Sequence, residues 1–125
     1  SDFAVALYQR LPEIHGERKS LEENKPIMVF GAGDFGGKMV ELFGDRVVGF
    51  IDNSPQKIGQ KKEHREIISF REYCRRYGQN GEMLLVLAIG GNHLYHIIKQ
   101  VKEQGFPDFL TYQRVVHIEY GRSLS

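Results

Sequence analysis

Three groups of residues in this chain have types and spacing that could do chemistry. Gly31-Ala32-Gly33-Asp34-Phe35-Gly36 is a G-x-G-x-x-G match that directly follows an apolar run. In such a turn the first glycine permits a tight reversal and the second lets the backbone approach a pyrophosphate. The third lets the following helix pack close to its strand. The free N–H groups and positive end of that helix suit an anion. Asp52 stands 21 residues after Gly31, at the tip of a second apolar run, where a carboxylate can accept hydrogen bonds from ribose hydroxyls; Asn53 follows it. Gly90-Gly91-Asn92-His93 could add backbone N–H groups, an amide and an imidazole. This chemistry holds phosphate and ribose and makes no bonds. Each group also has a plainer reading. The glycines could serve packing alone, Asp52 could be a solvated turn residue before Pro55, and His93 could sit on a wet helix start.

Elements that could position these groups are legible around them. Ile27–Phe30 reads as a strand ending at the glycine turn, and residues 34–43 as a helix with Phe35, Met39, Val40 and Phe43 on one face. Val47–Ile51 reads as the second strand. Residues 53–66 show no apolar periodicity and read as an exposed loop, with Ile67-Ile68 a short strand or an anchor. Ser69 and Glu72 stand at capping-box positions for a helix over 70–77. Met83–Ile89 is the most apolar run, as expected of a central parallel strand covered on both faces. It leads into a helix over 93–104 closed by Gly105, and Phe109–Tyr112 reads as a last strand. The tail from Val115 has no clear pattern. Before the first strand, residues 2–15 have helical spacing interrupted by Pro12, and 16–25 has the composition of a connector. The expectation is an α/β fold, a Rossmann-like doubly wound parallel sheet of about 4–5 strands with an extra N-terminal helix. Residues 1–25 would be helix and connector, and 26–125 the nucleotide-binding domain. Its ligand crevice would lie between the loops at 31–37 and 90–93, where strand order reverses.

Other chemistries find less support. The five histidines are scattered without metal-ligand spacing, so no metal site is expected. Tyr95 and Lys99 form a Y-x-x-x-K match on one helix face, as short-chain dehydrogenases use for proton transfer, but no serine stands on the preceding strand end. Cys74 lies on an apolar helix face and reads as buried and inert. The catalytic residues therefore stay unknown. At 125 residues, with 41% hydrophobic and 26% charged residues, the chain has the composition of a globular domain. Its net charge of +1, with basic and acidic residues interspersed, points to no nucleic-acid partner. A lone cysteine and the lack of a membrane span or signal peptide point to the cytoplasm. Because the chain begins at Ser1, an excised domain of a larger protein is expected.

The strings VFGAGDFGGKMVELF and VVGFIDNSPQKIGQ resemble a group of small Rossmann-like domains. These precede left-handed β-helix sugar acyltransferases and some FkbM-type methyltransferases. Their pattern of GAGxxG, helix, then VxGFxDDxPxKxG is matched at Gly31, Ala32, Gly33, Gly36, Val48, Gly49, Phe50, Asp52, Pro55, Lys57 and Gly59. The resemblance covers about 26–112. Two departures are Asn53 in place of the second acid and the polar loop QKKEHRE at 60–66. The resemblance implies a nucleotide- or nucleotide-sugar-binding module of a larger enzyme in sugar or surface-polysaccharide metabolism. Catalysis would belong to another domain of a multidomain transferase. The ligand would be NAD or a nucleotide sugar, held by Gly31–Gly36, Asp52, Asn53 and Gly90–His93. Asp52 favours a free ribose 2′-hydroxyl, while Lys57, Lys61 and Lys62 favour a 2′-phosphate. Other domains of a parent chain are expected partners, and a homo-oligomer is left open. Two alternatives are an NAD-dependent dehydrogenase or epimerase relative, and a non-catalytic interaction or regulatory domain that kept the fold.

Overall fold

A computed structural model describes residues 19–123, apart from 79, 80 and 107, so the N-terminal helix expected at 2–15 lies outside the described residues. Six strands form one sheet, β1 (Ile27–Phe30), β2 (Val47–Ile51), β3 (Lys61–Lys62), β4 (Arg65–Ile68), β5 (Leu84–Leu87) and β6 (Leu110–Thr111). Their order is β3-β4-β2-β1-β5-β6, parallel throughout except for the antiparallel β3/β4 pair. The helices are α1 (Asp34–Phe43), α2 (Phe70–Tyr77), α3 (His93–Glu103) and α4 (Tyr112–Ser123), with a short 3-10 turn at Gly44–Arg46. This is the expected Rossmann-like α/β fold, and the chain crosses from one half of the sheet to the other between β1 and β5.

β1 and β5 are central, and all eight of their residues are buried, which explains their continuous apolar sequence. Side chains alternate between two cores. Ile27, Val29, Leu84 and Val86 meet Met39 of α1 and Val115 and Ile118 of α4. Met28, Phe30, Leu85 and Leu87 meet Phe70 and Tyr73 of α2 and Ile97 and Val101 of α3. Helices therefore cover both faces, with α1 and α4 on one side and α2 and α3 on the other.

β2 carries an irregularity that the sequence hides. Ile27 pairs with Val47 and Met28 with Gly49, so Val48 is an extra residue, 45% exposed. The bulge reverses the alternation beyond it. Phe50 consequently turns toward α1 and Ile51 toward α2 and α3.

Three sequence expectations are corrected. The stretch read as an exposed loop at 53–66 contains β3 and the start of β4, closed by Glu63 and His64, both at positive φ (49° and 66°). Such a two-residue turn normally carries Asn or Gly, and their absence disguised it. Arg65 braces the hairpin, its Nε donating to Val47 O and its Nη2 to Gly44 O, each at 2.8 Å. The connector expected at 16–25 is helical at 19–22, where Leu21 is buried in the α1/α4 core. The unpatterned tail is α4, anchored by Val115 and Ile118, both fully buried. The N-cap half of the capping box forms, with Ser69 Oγ accepting from the Glu72 N–H at 3.1 Å, while the Glu72 carboxylate accepts from Arg75 and Arg76.

Candidate functional site

The ends of β1, β2 and β5 meet at one edge of the sheet. The Gly31 N–H donates to Ile51 O at 2.7 Å and the Ala88 N–H to Phe30 O at 2.8 Å, tying the three strand tips together. Above them lies a cleft of about 670 Å³ lined by Gly31, Gly33, Asp34, Phe35, Lys38, Asp52, Ala88, Ile89, Gly90 and His93. Pockets for drug-sized ligands span about 300–1,000 Å³.

The three motif glycines do different work. Gly31 has φ +117°, and a Cβ there would lie 2.5 Å from Ala88 O. A Cβ on Gly36 would lie 2.1 Å from Gly31 O and 3.0 Å from the Phe50 ring. Both are demanded by the fold. Gly33, the N-cap of α1, has an extended backbone (φ −104°) and nothing within 4 Å of a would-be Cβ. Nothing in the described protein requires glycine there, and the open space faces the cleft at the helix start. The first N–H groups of α1 have no partner within the helix.

Asp52 lies in the cleft, and both carboxylate oxygens are engaged by backbone. Oδ2 accepts from the Ala32 N–H at 2.9 Å and Oδ1 from the Ser54 N–H at 2.8 Å. The carboxylate thus fixes the glycine turn to the loop after β2. Each oxygen keeps a further lone pair for another donor such as a ribose hydroxyl.

Of the residues singled out from sequence, Gly31, Gly33, Asp34, Phe35, Asp52, Gly90 and His93 line the cleft, whereas Ala32, Gly36, Asn53, Gly91 and Asn92 do not. Phe35 is a wall, with its ring stacked on Tyr112 at 4.5 Å and packed on Gly90, where a Cβ would come within 2.7 Å. Asn53 instead pairs with Gln100 of α3 through two hydrogen bonds, at 2.8 and 3.2 Å. Asn92 precedes α3 without capping it through its side chain.

Lys38, Ala88 and Ile89 line the cleft and were missed. The signal for Lys38 was its i,i+4 spacing from Asp34, which puts both on one face of α1. Its ammonium stands 5.8 Å from the Phe35 ring centroid. Lys62 of the hairpin lies against α1, where a Cβ at Gly37 would stand 3.6 Å from its Cε, and does not line the cleft. The Y-x-x-x-K pair is not brought to the cleft. Tyr95 is 74% exposed, and Lys99 faces Glu103 on the outside of α3 at 3.9 Å. Cys74 is half-buried, and burial pushes its thiol pKa up. Among the described residues there is no group of histidine, cysteine and carboxylate side chains that could hold a metal, and no helix is long and apolar enough to cross a membrane.

No protein-family model matches the chain, and no curated protein matches it. Solved structures do. The fold resembles RSP in complex with β-NAD+ and operator DNA, with a TM-score of 0.51 and 15% identity, over 68% of this chain and 48% of that one. It also resembles RSP in complex with β-NADH, again with a TM-score of 0.51 and 15% identity, over 79% of this chain and 63% of the other. The chain thus spans about half to two thirds of the length of these neighbours. At this identity the likeness establishes a Rossmann-like fold. It also overturns the expectation of no nucleic-acid partner, because a protein of this fold was solved on operator DNA. Net charge was a poor ground for that exclusion. It averages over the chain and hides local groups such as Lys57, Lys61 and Lys62.

Proposed function

We propose that this chain is the nucleotide-binding module of a larger protein, with the ligand phosphates at Gly31–Gly36, a ribose at Asp52, and Gly90–His93 forming the opposite lip. The observation that carries this reading is Gly33. It is the one motif glycine that the described fold does not need, and it opens onto the cleft at a helix N-terminus. The neighbours solved with β-NAD+ and β-NADH make NAD(H) the first candidate ligand, and the sequence resemblance makes a nucleotide sugar the second. The larger enzyme of sugar or surface-polysaccharide metabolism rests on that resemblance alone.

The test is a thermal-shift screen against NAD+, NADH, NADP+, S-adenosylmethionine and UDP-, GDP- and CDP-sugars, followed by titration of the best ligand. Mass action gives about 2.7 kcal/mol of stabilisation at one hundred times the dissociation constant. Gly33→Val fills the open space and should abolish the shift while leaving the fold intact. A screen in which nothing stabilises the protein refutes the proposal, as does a Gly33→Val variant that binds like the wild type.

A second reading, a nucleotide-responsive regulatory module, draws support from a neighbour solved with both cofactor forms and, in one case, operator DNA. It predicts unequal affinities for NAD+ and NADH. Equal affinities would remove it and leave the first reading standing.

A further inference from the structure

Asn53 and Gln100 stand 47 residues apart in sequence and form a reciprocal amide pair, with Asn53 Nδ2 donating to Gln100 Oε1 at 2.8 Å and Gln100 Nε2 donating to Asn53 Oδ1 at 3.2 Å. The pair joins the tip of β2 to α3. Asn53 is exposed and Gln100 is half-buried, so water competes for these hydrogen bonds and they add little to stability. Their position carries more information than their strength. Asn53 directly follows Asp52, which lines the cleft, and its bond to Gln100 sets it beside α3, the helix on the face of the sheet opposite α1.

On the proposed reading, the phosphates lie at the start of α1 and the ribose at Asp52. A nucleobase is attached to the far side of the ribose from the phosphates. It therefore leaves Asp52 away from the glycine turn, toward the loop that begins at Asn53 and the helix that carries Gln100. Each amide presents one donor and one acceptor side by side, the complement of a base edge that offers both, as adenine does with its amino group and ring nitrogen. We infer that the Asn53–Gln100 pair is the base-recognition element of the nucleotide site. The two amides bond each other, and at least one exchanges its partner for the base edge when nucleotide binds. This inference rests on the nucleotide-binding reading.

The experiment compares the wild type with Asn53→Ala, Gln100→Ala, Gln100→Glu and the double alanine variant. Each is titrated with the best-binding nucleotide and, by ligand-observed NMR, with ribose 5-phosphate, which keeps phosphate and ribose and lacks the base. The expected result is a loss of about five- to tenfold in nucleotide affinity, the equivalent of one hydrogen bond, in at least one alanine variant. Gln100→Glu should lose as much as Gln100→Ala if Gln100 donates to the base. Ribose 5-phosphate binding, weak or undetectable in the wild type, should not change, nor should the melting temperature. Nucleotide affinity unchanged in all four variants would overturn the inference. So would an equal loss for ribose 5-phosphate, or a wild type that binds ribose 5-phosphate as tightly as the nucleotide. In each of those cases the wild type still binds nucleotide and the proposed function survives. A wild type that binds no nucleotide defeats both.

Discussion

Gly36→Ala should separate a glycine that builds the fold from Gly33, the glycine we propose for ligand binding. A Cβ at position 36 would stand 2.1 Å from Gly31 O, against ordinary contacts that begin at 3.4 Å, so α1 and the glycine turn would have to part by more than an ångström. The obstructing atom is a backbone carbonyl of a turn whose own N–H is tied to Ile51 O, and it cannot rotate away as a side-chain tip would. Behind it the Phe50 ring, 3.0 Å from the same Cβ, is fully buried and has no room to retreat. Overpacking of this kind costs about 3 kcal/mol, the upper end of the usual range, because two unyielding groups are met at once. For a domain of this size that lowers the melting temperature by roughly 12 °C or more. Gly33→Ala meets nothing within 4 Å and needs no positive φ, so its stability should stay within about 1 kcal/mol of the wild type, the loss being that of a poorer N-cap. Urea unfolding followed by circular dichroism measures both. Gly36→Ala within 0.5 kcal/mol (about the noise of surface substitutions) would refute the packing argument, and Gly33→Ala as damaging as Gly36→Ala would refute the division of labour.

Other outcomes follow from named contacts. Asp52→Ala removes the acceptors of the Ala32 and Ser54 N–H groups and should cost about 2 kcal/mol in urea midpoint analysis, together with nucleotide affinity. Hydrogen bonds from Arg75 and then Arg76 hold the Glu72 carboxyl at about 2, below its ordinary 4.5. A carboxylate depressed on folding contributes stability that is complete above the unfolded value, so stability should fall as pH drops from 4.5 toward 2, and Glu72→Gln should flatten that limb of a pH–melting curve. Burial, with Cys74 and Tyr77 adding to it, pushes the Tyr73 hydroxyl up to about 12 from 10. Its contribution is present below pH 10 and is lost as pH rises toward 12, which Tyr73→Phe should remove from an alkaline melting series. Tyr95→Phe and Lys99→Met, both outside the cleft, should leave nucleotide affinity unchanged in titration.

The parts of the fold legible in the sequence are those written in local patterns. β1 and β5 show as apolar runs because helices cover both their faces, and α2 shows because Ser69 caps its first turn. The bulge at Val48 was invisible because VVGFI reads equally well without it, and only pairing with Ile27 and Met28 reveals the extra residue. β3 was invisible because two lysines at a sheet edge have no apolar face to alternate. For the site, the motif glycines and Asp52 were legible at fixed spacings. The use of Asp52 as a brace depends on how the tips of β1 and β2 meet, and the approach of Gln100 to Asn53 on how far α3 slides along the sheet, neither of which a local pattern records.

The cleft sits where α1 and α3 leave the strand tips toward opposite faces, and that divergence sets the direction in which a nucleotide can lie. On the proposed reading the anion-binding groups belong to β1 and α1, and the ribose acceptor belongs to β2. The base is then carried toward Asn53, and whatever lies beyond the phosphates must run the other way, over β5. On that side stand Ile89, Gly90 and His93, faced by Phe35 of α1, which packs on Gly90 with Lys38 beside its ring. Its chemistry is an aromatic wall with one ammonium and one imidazole, capable of meeting a flat ring or a hydroxylated sugar. The glycine turn and Asp52 are common to NAD and to a nucleotide sugar, so they cannot tell the two apart. Discrimination falls to the base end at Asn53 and Gln100 and to the β5 side of the cleft, where Phe35 is the motif's one contribution beside Lys38 and His93.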